Sequence, residues 1–357
     1  MAWGRGSAGR RYQGLVRTVE TSRKAVVVGV AALVVAVGAT ACEPIPPASD
    51  CLARSADHET TLSGTRRLQF KDADASHGDW TYDARAVTSS AYPFSALYPL
   101  SVGGSSAPPH LCWVGGKVVG QQPRGLSWDT MKRRYDGAGL HITSADWYLI
   151  DGLRVDNVED GIDPRGKEGQ YPKQADGMVI RNAYFKYVRD DCVENDDIAG
   201  GLIVDSLFDG CYTGVSEQPD PIQSAYPAPA GEVLELDHVL LRLQMMPGPY
   251  GTHDPTVRGH GQLFKWYPQS NRLDIKNSTF LVQTQPNGGT ADFPAGTTAS
   301  NVTVVWLGKG PYPGSVPPGV TITTNRGVWD SARSKWLKRH GCSSFDSCTK
   351  LTAPAPY

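Results

Sequence analysis

Two clusters of carboxylates are the part of this sequence best equipped for chemistry. The first is DGID, which begins at Asp160, and the second is RDDCVENDD, which begins at Arg189. Each cluster follows a short apolar run of strand-like character. A pair of carboxyl groups can act as general acid and general base, one protonating a leaving oxygen while the other activates water. This chemistry requires elements that bring the two clusters together.

An internal repeat predicts those elements. Five segments share apolar residues at their first and third positions and a polar pair at the fourth and fifth, and they begin at Tyr148, Met178, Leu202, Leu234 and Leu273. The fifth position holds residues suited to a turn: Gly152, Asn182, Ser206, His238 and Asn277. Alternation on both sides of a polar bend indicates two strands that meet at a corner with their apolar faces inward.

Coils of this kind bury their apolar faces only when they stack on one another. The sequence therefore predicts an all-β fold, a single-stranded right-handed parallel β-helix (β-solenoid). A β-sandwich of antiparallel hairpins is the alternative, but tight two-residue hairpin turns are lacking.

The same superposition places the two acid clusters side by side. Asp160 falls ninth after Asp151, and Asp190 falls ninth after Arg181, so the two should lie on adjacent coils of one face. Adjacent coils are about 5 Å apart. Carboxylates at that separation can share a proton, a metal ion or a substrate, and their crowding should raise at least one pKa.

The order of these motifs resembles that of the polygalacturonases, a family of pectin-lyase-like β-helix glycoside hydrolases. Those enzymes carry NTDGID, DDC, GHG and RIK in that order, and this chain has EDGID at 159–163, DDC at 190–192, GHG at 259–261 and RLDIK at 272–276. The resemblance implies that Asp160, Asp190 and Asp191 are the catalytic carboxylates, that His260 assists them, and that the bond is cleaved with inversion. The chain is also similar to exported right-handed β-helix repeat proteins, and that likeness implies no activity.

Charged residues around the motifs are expected to contact the substrate: Asp163, Arg189, Glu194, Arg258 and Lys265. Arginine binds carboxylates through two parallel hydrogen bonds, which would suit an acidic polysaccharide. We therefore expect an extracellular carbohydrate-active enzyme that hydrolyses a uronate-rich or galactose-rich polysaccharide without a cofactor.

Two alternatives stay open. One is a polysaccharide lyase in which calcium, a cation that takes six to eight oxygen ligands, is held by carboxylates. Its ligands would be Asp160, Asp163, Asp190, Asp191 and Glu194. The other is a non-catalytic cell-envelope β-helix that binds polysaccharide or a protein.

Residues 1–41 have the features of an export signal, a basic leader followed by the apolar run AVVVGVAALVVAVGATA. Cys42 resembles the lipidated cysteine of bacterial lipoproteins, so secretion and a lipid anchor on Cys42 are both open. Either route predicts an extracytoplasmic location, where cysteines form disulfides. The pairs easiest to close are Cys192 with Cys211 and Cys342 with Cys348.

Composition divides the rest of the chain. Residues 42–109 are predicted to be a tether and N-terminal cap, 110–310 the β-helix, and 311–357 a C-terminal cap. Within the last region SARSKWLKRHG predicts an amphipathic helix that shields the final coil. A net charge of −1 gives no reason to expect nucleic acid as a partner. We expect a monomer that binds polysaccharide and meets a membrane only through a lipid on Cys42.

Overall fold

Parallel β-strands dominate the computed structural model of the chain. The structure describes residues 56–72, 78–90, 98–103, 110–135, 137–143, 145–166, 175, 177–219, 225, 228 and 231–348. The predicted export signal at 1–41 and Cys42 lie outside these residues. Neither helix in the described part of the chain has the length and apolar character needed to cross a membrane.

The strands stack in three columns, and neighbouring strands within a column pair in parallel. The first column contains the amino-terminal parts of β1 (His58–Arg66) and β3 (Trp80–Ser89), then β5 (His110–Val114), β8 (Trp147–Asp151), β11 (Gly177–Arg181), β13 (Gly201–Val204), β15 (Val233–Asp237), β20 (Arg272–Lys276) and β22 (Thr298–Ser300). The second contains the later parts of β1 and β3, then β6 (Lys117–Val119), β9 (Arg154–Asp156), the first parts of β12 (Tyr184–Glu194) and β14 (Leu207–Glu217), β16 (Leu240–Leu243), β21 (Thr279–Val282), β23 (Val302–Trp306) and β24 (Val320–Thr323).

The third column carries the acid clusters. It contains β2 (Phe70–Asp72), β4 (Leu100–Val102), β7 (Ala138–Ile142), β10 (Asp160–Pro164), the later parts of β12 and β14, and β19 (Phe264–Trp266). A short antiparallel pair, β17 (Met246–Pro247) with β18 (Arg258–Gly259), and two helices, α1 (Trp128–Tyr135) and α2 (Arg326–Arg339), lie outside the columns.

One large parallel sheet of this kind is consistent with a β-solenoid, and the prediction of an all-β fold is confirmed. The predicted limits of the stack, 110 and 310, are too narrow. Strands β1 to β4 already pair within the columns, and β24 pairs with β23 beyond residue 310. Strand β1 reads HETTLSGTR and is mostly polar, so composition did not distinguish it from a tether.

The predicted repeat register is right at four of the five segments. Tyr148 pairs with Met178, and Ile150 with Ile180, and all four side chains are buried in one apolar core. The third segment is displaced by one residue, because Met178 pairs with Gly201 and not with Leu202. Gly201 is required there, since a Cβ would lie 2.0 Å from the carbonyl oxygen of Met178.

The corner between the first two columns is built by residues with positive φ. They are Gly152, Asn182, Asp205, His238, Asn277 and Asn301. Asn and Asp tolerate this left-handed conformation better than most residues. Their side chains also bond between coils, since Asn182 donates to Asp151 at 2.6 Å and Asn301 donates to Asn277 at 2.9 Å. The corner residue of the third segment is therefore Asp205 rather than Ser206.

Helix α2 includes most of the segment that was predicted to be helical, and it covers the outer side of the second column. Trp329, Trp336 and Leu337 are buried there against outward-facing side chains of β12, β14, β16, β21 and β23. Trp336 donates its indole N–H to the carbonyl oxygen of Asp205 at 3.0 Å. Beyond the helix, Asp346 pairs with Lys117 of β6 at 2.8 Å. Closure of the final coil by this helix stays a prediction, because these contacts lie along the side of the stack.

Both predicted disulfides are present. Cys192 is bonded to Cys211, which joins β12 to β14, and Cys342 is bonded to Cys348. Disulfides persist in oxidising compartments, so these bonds indicate an extracytoplasmic location.

Candidate active site

The two predicted acid clusters meet in the third column. Ile162 of β10 pairs with Val193 of β12, which sets DGID beside DDC. The backbone N–H of Asp191 donates to Oδ1 of Asp160 at 2.9 Å. The N–H of Asp190 donates to the carbonyl oxygen of Glu159 at 2.8 Å. The prediction that these carboxylates lie on adjacent coils is therefore correct.

A register shift in strand β12 brings the consecutive carboxylates of Asp190 and Asp191 close to the same charged side chains. Side chains of a regular strand alternate between its faces, so Asp190 and Asp191 would point apart. The pairing with β14 shifts register between Val188 and Asp191, and such a bulge redirects side chains. As a result Asp190 and Asp191 act electrostatically on each other and both respond to Lys265.

A glycine permits the close approach of these coils. A Cβ on Gly161 would lie 2.4 Å from the carbonyl oxygen of Cys192 and 2.7 Å from the ring of Phe185. The DGID motif therefore needs glycine at its second position, because any side chain would push β10 away from β12. Separation of the strands would also separate Asp160 from Asp191.

Two lysines from distant parts of the chain neutralise the acids. Lys132 of α1 forms an ion pair with Glu159, and its Nζ lies 3.4 Å from Oδ2 of Asp190. Lys265 of β19 lies 2.7 Å from Oδ2 of Asp191. Lys265 was predicted as a site residue, whereas Lys132 and Glu159 were not. Nothing in the repeat pointed to Lys132, because α1 interrupts the coils before the first recognised segment.

Helix α1 is held in place over β12 by its own end and by the β17–β18 hairpin. Ser127 Oγ accepts a hydrogen bond from the N–H of Thr130, and Met131 is buried beneath the helix. The N–H of Trp128 donates to the carbonyl oxygen of Gly248 at 2.7 Å. We refer to α1 and residues 246–259 together as the cover.

The cover is fastened by Arg189, which the sequence suggested as a substrate contact. The structure gives it a different role. Its side chain is buried, and its guanidinium donates to the backbone oxygens of Arg124, Leu126 and Pro247 at 3.0, 2.7 and 3.3 Å. With these donors directed at main-chain carbonyls, Arg189 joins the segment that precedes α1, and Pro247 of the cover, to β12 and is not placed to bind a sugar.

Burial and repulsion together keep protons on part of the acid group. Burial raises the pKa of Asp190 to about 6, and the neighbouring charge of Asp191 adds to the rise. The pKa of Asp160 lies well above its usual value, first because the group is buried and then because Glu159 repels its charge. Burial disfavours the ammonium of Lys132, but the attraction of Asp160, Asp190 and Glu159 raises its pKa overall.

Asp163 and Glu194, both predicted to contact substrate, form ion pairs beside the acid site, and burial followed by the charge of Asp160 raises the pKa of Glu194. Asp163 lies 2.8 Å from Nδ1 of His141 and 2.6 Å from Nε of Arg165. The other end of that guanidinium lies 3.5 Å from Glu194. Arg165 therefore links β10 to β12 beside the acid site.

His260 does not meet the carboxylates. It is fully buried, its Nε2 accepts from the N–H groups of Gln283 and Thr284 at 3.2 and 3.0 Å, and its Nδ1 lies 2.8 Å from the carbonyl oxygen of Gly261. This pattern places the proton on Nδ1 of a neutral ring, and burial lowers the pKa of the imidazole. The expected assistance by His260 is thus replaced by a structural role. Arg258 is exposed on the cover and donates to the carbonyl oxygen of Met245.

The donor set fits a metal ion poorly. Among the described residues Glu159, Asp160 and Asp190 can bring ligand oxygens within 4.8 Å of one another. The ammonium of Lys132 lies against two of these three groups and supplies the positive charge that an ion would bring. Of the other suggested calcium ligands, Asp191 pairs with Lys265, and Asp163 and Glu194 share Arg165. The calcium alternative is not the one we propose.

The acids lie just beneath the protein surface. Asp160, Asp190 and Asp191 are 3%, 6% and 1% exposed. The side chains of Lys132 and Lys265 are 34% and 24% exposed, so both lysines reach solvent above the acids. A substrate would approach past these two lysines.

Comparisons with protein-family models, with curated proteins and with solved structures found no match to this chain. The resemblance to polygalacturonases therefore rests on the motifs quoted above and on where the fold places them.

Proposed function

We propose that this chain is an exported right-handed parallel β-helix of the pectin-lyase-like kind that hydrolyses glycosidic bonds in a polysaccharide. The observation that carries the proposal is the meeting of Asp160, Asp190 and Asp191 on adjacent coils, in surroundings that favour a proton on one carboxyl group and a charge on another. A general acid and a general base need that difference in protonation.

Asp190 suits the role of general acid. Its raised pKa of about 6 keeps it protonated in mildly acidic conditions, so it can give its proton to the leaving glycosidic oxygen. Asp191 suits the role of general base, because the ammonium of Lys265 stabilises its negative charge. It takes a proton from water as the hydroxide oxygen bonds to the anomeric carbon, and the two carboxyl groups then exchange their protons with solvent.

Asp160 positions the base. Its Oδ1 accepts the backbone N–H of Asp191, which ties the two coils together at the reacting groups. Access to them depends on Lys132, which lies over Glu159 and Asp190 from α1. The proposal therefore includes displacement of the Lys132 side chain as the sugar enters.

A panel of polysaccharides tests the proposal, scored for new reducing ends and for the absorbance of unsaturated uronates. Asp191→Asn should lower the hydrolysis rate by about a hundredfold or more, the usual contribution of acid–base catalysis. Asp330→Asn, which alters an exposed carboxylate on α2, is the matched control and should retain the wild-type rate. A wild-type rate in Asp191→Asn would remove the base from the mechanism, and unsaturated products would indicate a lyase instead.

A non-catalytic, polysaccharide-binding solenoid is the second candidate. The observation that favours it is the burial of all three carboxylates, with Lys132 and Lys265 neutralising the group from within. Such a group could serve only to hold adjacent coils together. Retention of the protein by a glycan that it never cleaves would support this function.

A further inference from the structure

The charges of the acid site bear on the class of sugar that it takes. We infer that the site accepts a neutral glycan and rejects a polyuronate. This inference rests on the proposed hydrolysis and chooses between the two substrate classes that the sequence left open. Four features of the structure support it.

The cations near the acids are already committed to internal partners. Lys265 pairs with Asp191, Lys132 pairs with Glu159, and Arg165 joins Asp163 to Glu194. A uronate that recruited one of these cations would leave a buried carboxylate without its counter-charge, which is strongly unfavourable.

The two remaining arginines do not offer a uronate site at the acids. The guanidinium of Arg189 is buried against backbone carbonyls of the segment before α1 and of the cover. Arg258 is exposed on the outer surface of the cover, where water and salt weaken its attraction for an anion. The bidentate arginine contacts that the sequence suggested for a uronate are therefore absent among the described residues that line the acids.

The net charge of the site is unfavourable to an anion. Four carboxylates, Glu159, Asp160, Asp190 and Asp191, face two ammonium groups, those of Lys132 and Lys265. With all six groups charged the balance is −2, and with two carboxyl groups protonated it is zero. The neighbouring group of Asp163, Glu194 and Arg165 adds a balance of −1 when fully charged. Neither state attracts a polyanion.

The site does offer acceptors to hydroxyl groups. Oδ1 of Asp191 is buried and accepts no hydrogen bond from the described residues, although Oδ2 of the same carboxylate is paired with Lys265. A buried acceptor without a donor is costly, so a group that brings an O–H is favoured there. Sugar hydroxyls and water bring such a donor, and a uronate carboxylate does not.

Three polymers test the inference, one of them a polyanion and the other two neutral. Hydrolysis rates are compared on polygalacturonate, on its fully methyl-esterified form and on a neutral galactan, in mildly acidic buffer. We expect at least one neutral polymer to be cleaved more than about tenfold faster than polygalacturonate, since like charges oppose binding. Added salt should raise the rate on polygalacturonate and leave the rate on the neutral polymers unchanged, because it screens repulsion.

The outcomes separate this inference from the proposed function. Equal or faster cleavage of polygalacturonate would support hydrolysis and overturn the choice of a neutral substrate. If no polymer is cleaved, hydrolysis is refuted, and gel electrophoresis through each polymer decides the inference. Retardation by a neutral polymer alone would support it, whereas retardation by polygalacturonate, or by none of the three, would overturn it.

Discussion

Replacement of Lys132 by methionine would remove the positive charge that α1 places over the acids. Methionine keeps much of the aliphatic length of lysine, so the packing of the helix should change little. Glu159 would lose its ion pair, and Asp190 would lose a cation 3.4 Å from its Oδ2. The free energy of unfolding should therefore fall by an amount that depends on how many of these acids are charged.

The size of the effect follows from burial and protonation. Breaking a buried ion pair by removing one partner costs ~3–5 kcal/mol. Because the Lys132 side chain is 34% exposed, solvent screening reduces the expected loss to about 2 kcal/mol. Asp190 holds its proton in the folded protein below about pH 6, and the raised pKa of Asp160 also favours a proton, so these acids need Lys132 least at low pH. The loss should be largest near pH 8 and fall to roughly half or less near pH 4.5.

Urea unfolding at these two pH values measures the effect. Arg134→Met is the matched control, since it removes a positive charge from an exposed position of the same helix. Its effect should be below about 0.5 kcal/mol at both pH values. An equal loss for Lys132→Met at low and high pH would refute the reasoning, because it would show that Lys132 acts through packing and not through the charge of the acids.

Three further predictions concern the same strands. Asp190→Asn should stabilise the protein above about pH 6 by up to ~3 kcal/mol, because a pKa raised by about two units disfavours the ionised carboxylate in the folded state. The gain in the free energy of unfolding, measured with urea, should vanish at low pH. A gain that grows as the pH falls would contradict this prediction. On a cleaved glycan, the rate should decline as pH rises through about 6 and Asp190 loses its proton, and a rate that climbs there would exclude Asp190 as the acid. Replacing Cys192 and Cys211 together by serine should lower the free energy of unfolding, measured in urea, by ~3 kcal/mol. The reason is that the disulfide closes a loop between two cysteines separated by 19 positions in the sequence. Unchanged stability would show that strand stacking alone holds β12 to β14.

The stacking of the strands could be predicted from the sequence because the pattern that specifies it lies within short segments of the chain. Apolar residues at alternate positions, followed by a polar corner, repeat often enough to identify the columns and to bring DGID beside DDC. The register failed where the local pattern is ambiguous. Leu202 and Ile203 are both apolar, and only the three-dimensional contact between Gly201 and Met178 decides which of them faces the core.

The partners of the acids could not be predicted in the same way. Lys132 lies on a helix outside the repeat, and its distance from Glu159 is fixed by the contacts of α1 with the rest of the cover. Arginine and histidine are residue types that often bind or process substrates. In this chain, however, Arg189 and His260 form their hydrogen bonds with backbone groups. Residue type shows what chemistry a side chain could do, whereas the competition for its donors and acceptors is decided by tertiary structure.

The carboxyl-terminal segment changes how a stack of coils should come apart. When each coil touches only the next, melting can start at an end and proceed by fraying. Here Trp336 bonds to the corner of β13, Asp346 pairs with β6, and the carbonyl oxygen of Cys348 accepts from Arg154 of β9. The same segment therefore contacts coils that are far apart in the stack. We expect the last coils to loosen only when these contacts with the early coils break, so that the stack unfolds cooperatively, as a globular domain does.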